Sequence, residues 1–79
     1  MRHELKIWPD FFKEVASGNK RFEIRKNDRG FKRGDVLYLR EWDQETGKYT
    51  GSECTRIVRF IMRGPGFGIE NGYCVMSIE

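Results

Sequence analysis

Residues 18–26 read GNKRFEIRK, and the side to which this stretch turns its charge decides how the remaining chain assembles around it. Read as a strand over about 21–25, it puts Phe22 and Ile24 on one face and Arg21, Glu23 and Arg25 on the other, because successive side chains alternate across a pleat. On this reading the apolar pair faces the core. The glutamate then sits between two guanidiniums, with Lys20 at the strand's entrance.

Working outward, WPDFFKEVASG places apolar residues at 8, 11, 12, 15 and 16, the spacing of an amphipathic helix. Pro9 suits the first helical position, Asp10 the positive end of the helix dipole, and Gly18 the left-handed residue past the end. The pattern predicts a helix over about 9–17, with Trp8, Phe11, Phe12, Val15 and Ala16 buried together against Phe22 and Ile24. Ahead of it HELKI alternates as a short strand. After the quoted strand, KNDRGFKRGD reads as a loop with a tight turn at Gly34 and Asp35. VLYLREW and TRIVRFIM are rich in strand formers, and DQETGKYTGSE between them reads as their hairpin connection. RGPGFGIENG carries too much glycine for regular structure, and YCVMSI closes the series as a buried strand. One helix after the first of about five strands predicts an α+β fold, a small, partly closed pseudo β-barrel whose open end the helix plugs. A flat sheet on so short a chain would leave long unpaired edges.

Seventy-nine residues make one domain over 1–79, near the lower size at which a core alone holds a chain folded. Six Phe, three Tyr and two Trp give that core its bulk. No apolar run reaches the roughly 20 residues of a membrane span, and MRHELKIW lacks the features of a secretion signal. The expectation is a cytoplasmic monomer that contacts no membrane. Cys54 and Cys74 stand far apart in apolar surroundings and read as buried thiols. With His3 they would have to converge from three elements to bind a metal, so neither metal nor cofactor is expected. No Ser-His-Asp order is present.

The net charge is only +3, but it is unevenly spread. Residues 20–33 hold seven basic side chains (Lys20, Arg21, Arg25, Lys26, Arg29, Lys32 and Arg33) against Glu23 and Asp28, a local net of +5. A segregated positive stripe attracts phosphates, whereas mixed charge merely solubilises.

Gly18, Lys20, Glu23 and Arg25 together spell G-x-K-x-x-E-x-R at a helix-to-strand junction. That motif resembles the signature of the ASCH domain family, a branch of the PUA-like β-barrels. FKRGDVLYL is similar to the family's turn into its next strand, and HELKIWPDFFKEVASG to its strand-and-helix start. With the closing GPGFGIENGYCVMSI, the whole chain resembles a small, uncharacterised, DUF3850-like bacterial and phage subfamily. The resemblance implies a pseudo-barrel with a cleft beside the helix, lined by the motif residues, that receives RNA or a modified nucleoside, with DNA as a further candidate. The residue chemistry suits this. Lys20 supplies a mobile point charge, Arg25 a planar fork for phosphate or a base, and Glu23 an acceptor for a base amino group or an anchor for the two cations.

The basic stripe would grip the nucleic-acid backbone around that cleft. His3, from the first strand, could face it as an acid or base, and Trp42, ending a strand among charges, could stack a base. The 63–72 loop could close over a ligand but lacks the spacing of a phosphate cradle. Two alternatives remain. Some ASCH members resemble small amidohydrolases that deacylate nucleobases; here Lys20 would be the activated amine, its pKa lowered by Arg21 and Arg25, with Glu23 as the acid. This chain departs from that pattern, carrying Glu23 where those enzymes have a threonine. The other alternative is a protein-interaction accessory domain.

Overall fold

The computed structural model describes all residues, Met1–Glu79. The chain runs β1 (Arg2–Ile7), α1 (Pro9–Ala16), β2 (Phe22–Lys26), β3 (Val36–Asp43), β4 (Lys48–Arg63) and β5 (Tyr73–Ile78). The strands form one sheet in the order β1-β3-β4-β5-β2. β1 and β3 are parallel, and every other pair is antiparallel. The result is the small α+β pseudo-barrel that the order of elements predicts. No helix is long and apolar enough to cross a membrane.

The length of β4 makes the curvature. Residues up to Ile57 pair with β3, and those from Val58 onward pair with β5. A register shift between Val58 and Phe60 marks the handover, as bulges do where a sheet must bend. The sheet curls but does not close, so β1 and β2 are its two edges. Side chains bridge this seam where no backbone ladder does. Arg25 donates to the carbonyl of Lys6 at 2.7 Å, and Arg29 to that of Glu4 at 2.6 Å. These are consecutive outward-facing carbonyls of β1, and capping them blunts an exposed edge.

Inside lie Leu5 and Ile7 of β1, Leu37 and Leu39 of β3, Val58 and Ile61 of β4, and Cys74, Met76 and Ile78 of β5. Val15 of α1 and Phe31 of the β2–β3 loop complete the core, and Phe12 and Cys54 pack at its margin. Burial pushes both thiols up from their ordinary pKa, and neither is in a disulfide.

Three expectations are corrected. Glu23 is 3% exposed, whereas Ile24 is 58% exposed: β2 turns its charged face inward and its apolar face to solvent. The register explains this, since Glu23 and Arg25 pair with the buried Met76 and Cys74, and Phe22 and Ile24 with the outward Ser77 and Val75. Second, Trp8 and Phe11 are about half exposed, and Ala16 is exposed as well. Trp8 is the N-cap with extended backbone, so its side chain leaves the helical stripe, and eight residues of helix bury only Val15 fully, with Phe12 at the core's margin. Third, most of 43–53 is not a connection. β4 starts at Lys48, and the turn is just the four residues between it and Asp43, closed by Gly47 N–H to the Asp43 carbonyl. Gly51, read as a turn residue, has φ +96° and sits where the β3–β4 register jumps between Arg40 and Trp42, which is a glycine serving a bulge.

Candidate functional site

The seam also holds a hollow. A cleft of about 490 Å³ opens between the end of β1, the start of α1 and the free edge of β2. Trp8 and Phe11 form one wall, their rings nearly parallel at 17° with centroids 6.2 Å apart. Phe22 and Ile24 form the opposite one, and Lys6 and Ile7 close the β1 end. Lys20, Glu23 and Arg25 supply the polar lining.

The backbone delivers these three residues. α1 stops at Ser17, Gly18 takes φ +86°, and the Lys20 N–H returns to the Glu14 carbonyl at 2.9 Å. A positive φ after the last turn is where glycine costs nothing and any other residue is strained. The chain reverses there and enters β2 with Lys20 beside the Glu23 carboxylate. Lys20 Nζ donates to Glu23 Oε1 at 2.5 Å and to the Phe22 carbonyl at 2.8 Å. Arg25 Nε donates to Glu23 Oε2 at 2.9 Å while its Nη2 holds Lys6. Both carboxylate oxygens are therefore taken by cations. Glu23 thus fixes two donors, each with hydrogens left over, at the floor of an aromatic cleft.

The other predicted site residues are dispersed. Arg21 turns to the Gly18 carbonyl and lines a separate 220 Å³ hollow with Arg56. Arg29 is held at the seam by Glu4, and Arg33 donates to the Arg59 carbonyl. Lys26 and Lys32 are exposed with side chains that bond nothing in the protein. The stripe that reads as continuous along the chain is thus mostly arginine engaged with backbone carbonyls.

His3 does not face the cleft. It is buried, its Nε2 is 2.8 Å from Asp35 Oδ2, and its ring meets Phe31 edge-on at 4.7 Å. Asp35 also accepts from the Lys32 N–H and the N-terminal ammonium. Burial pushes this carboxyl up, but those hydrogen bonds and the ammonium's charge outweigh it and hold the pKa at about 2. Trp42 lies on the outer face of β3, against Tyr49 and under Lys6 Nζ at 3.9 Å. None of residues 63–72 lines the cleft. That loop is tied across by the Gly66–Ile69 bridge, and a Cβ at Gly64 would stand 2.1 Å from the Glu70 carbonyl oxygen.

Sequence reasoning missed Trp8, Phe11, Phe22 and Ile24 as cleft walls by assigning all four to the core. A signal was present in the motif itself, because two cations flanking one carboxylate satisfy each other and tolerate burial better than three like charges.

A family model described as a domain of unknown function, DUF3850, matches residues 2–78. The chain is also similar to an uncharacterised 12.9 kDa protein of the GpA 3′ region of Escherichia phage P2, with 49% identity over 49 residues. The match covers 62% of this chain and 43% of the phage protein, so it spans less than half of that relative's length.

Proposed function

The chain belongs to the DUF3850 family, and we propose that its seam cleft binds a nucleotide of single-stranded RNA, in keeping with the resemblance to ASCH domains. One observation carries the reading: Lys20 and Arg25 are held on a single buried carboxylate at the floor of a cleft walled by the Trp8–Phe11 pair. Exposed rings beside fixed cations suit a ligand with a planar base and an anionic or acceptor-rich group, because stacking is tolerant of sequence and the donors can be shared with phosphate or keto oxygens. The charge bookkeeping agrees, since one carboxylate neutralises only one of its two cations. The deacylase alternative gains nothing from this geometry: the Lys20 ammonium is already donating to a carboxylate and a carbonyl.

The test is an NMR titration with short single-stranded RNA, single-stranded DNA and free nucleosides. RNA should shift the Trp8 indole and the Lys20 and Arg25 signals. Trp8→Ala should weaken binding by about 1–3 kcal/mol, the usual worth of one stacked base. Lys20→Ala should reduce the salt slope by about one if a phosphate contact is lost. RNA binding no tighter than that of an unrelated protein of equal charge would sink the reading.

A further inference from the structure

We propose that the outer face of β4, β5 and β2 docks an acidic amphipathic segment of a partner protein. The face is a small grid set by the ladder. Phe22, Ser77 and Phe60 form one row across the three strands, and Ile24, Val75 and Met62 the next. Tyr73, paired with Lys26, follows at the β2–β5 end. Ile24 is 58%, Phe60 54% and Met62 40% exposed, and no element of the chain covers them. A sheet normally buries an apolar face against another layer. Here the inner face has the core and this outer one has nothing.

Charge decides among the occupants. Lys20 Nζ stands 4.7 Å from the centre of the Phe22 ring and Arg33 5.9 Å from that of Phe60, while Lys26 shares the outward side of β2 with Ile24. Lys20 is shared with Glu23, and Glu79 is paired with Arg59, which leaves Lys26 and Arg33 to make the rim cationic, and the grid itself bears no carboxylate. Two copies laid face to face would bring like charges together, which opposes a dimer through this surface. Nucleic acid would satisfy the cations, but Ile24, Val75 and Met62 offer no ring for a base, and the rings of Phe22 and Phe60 already carry cations. An apolar centre with aromatic and methionine side chains inside a charged rim is instead the make-up of a protein interface. An amphipathic segment with carboxylates flanking its apolar side fits both features.

The experiment titrates the full chain with a synthetic acidic amphipathic peptide of about 18 residues, Leu and Phe on one helical face and Glu on the other. A peptide of the same composition with its apolar face scrambled and an oligouridylate serve as comparators. The expected result is that the amphipathic peptide alone shifts the Met62 and Val75 methyl signals, which lie away from the cleft, and that Phe60→Ser and Met62→Lys each weaken it at least tenfold. Both residues are exposed, so the variants should fold, and neither lines the cleft; failure here leaves the RNA reading intact, and failure of that one leaves this intact. The proposal is overturned by no shift at these methyls, by equal binding of the scrambled peptide, by shifts of the same methyls with oligouridylate, or by self-association that Phe60→Ser abolishes.

Discussion

Along β1, β3 and the first half of β4, the outward side chains are cations laid on rings and carboxylates. Arg2 lies 4.3 Å above Tyr38 and Arg40 3.8 Å above Tyr49, and Arg40 reaches Glu4 at 2.6 Å. The inward positions of β1 and β3 are His3, Leu5, Ile7, Leu37 and Leu39. Beyond Val58 the outward side is apolar instead: Phe60, Met62, Phe22 and Ile24 face out. While β4 and β5 keep Ile61, Cys74, Met76 and Ile78 inward, β2 alone is reversed and puts Glu23 and Arg25 there. Each half nevertheless holds one buried carboxylate, Asp35 in the first and Glu23 in the second. Strand alternation fixes which residues share a face, but the chemistry facing inward is set by what waits there: a hydrophobic core under β1, β3, β4 and β5, and an unclosed seam that takes cations and a counter-charge under β2.

The sharpest way to break this comparison is to remove the inward charge. Glu23→Ala leaves Lys20 and Arg25 without their shared partner at a largely desolvated site, and stripping one member from a buried ion network costs about 3–5 kcal/mol. Urea denaturation should show that loss in a domain with little stability to spare. A loss below about 1 kcal/mol would mean that Glu23 behaves as a surface residue and that β2 is not inverted.

The first half's carboxylate should give a smaller effect, confined to acid. The folded pKa of Asp35 is lowered from 3.8 to about 2, so its bonds to His3, the Lys32 N–H and the terminal ammonium stabilise the fold fully above the unfolded value. That contribution falls away as the pH drops from about 4 to about 2. Denaturation midpoints measured across this window should decline more steeply for the wild type than for Asp35→Asn. Parallel curves would show that Asp35 contributes nothing that depends on its charge.

Much of the fold is legible before any coordinates. Helix α1 is announced by Pro9, Asp10 and Gly18, and the strands by alternation in HELKI and FEIRK, by strand-forming content in VLYLREW and TRIVRFIM, and by the apolar run YCVMSI. The motif residues Lys20, Glu23 and Arg25 are brought together as their spacing suggests. What the sequence hides is direction. FEIRK alternates perfectly, and alternation is symmetric: nothing within five residues says which face meets the core, and the usual preference for apolar-inward gives the wrong answer because the β5 partners Met76 and Cys74 fill the interior at that level. Trp8 misleads for a related reason. A helical stripe extended one residue past the helix predicts burial for a side chain whose backbone is already extended. The polar, glycine-containing start of β4 hides because its side chains are exposed on both faces, leaving no apolar period to read.

The smallest expected effect lies on the outer face of the first half. Arg40 bridges Glu4 at 2.6 Å and approaches Glu53 at 3.9 Å, and its side chain is a third exposed. Water competes for such a pair and salt screens it, so its contribution is about 0.2–1 kcal/mol despite the short distance. Arg40→Gln removes the guanidinium, and with it both the ion pairs and the contact over Tyr49. Its loss of stability should fall within that range at low salt and shrink further in concentrated salt, whereas the Glu23→Ala deficit should depend less on salt, because the Glu23 carboxylate itself is buried. Urea titrations of both variants at two ionic strengths measure the contrast directly. Equal salt sensitivity in the two would mean that ions reach both networks alike, and the distinction between an inward-charged and an outward-charged half would fail.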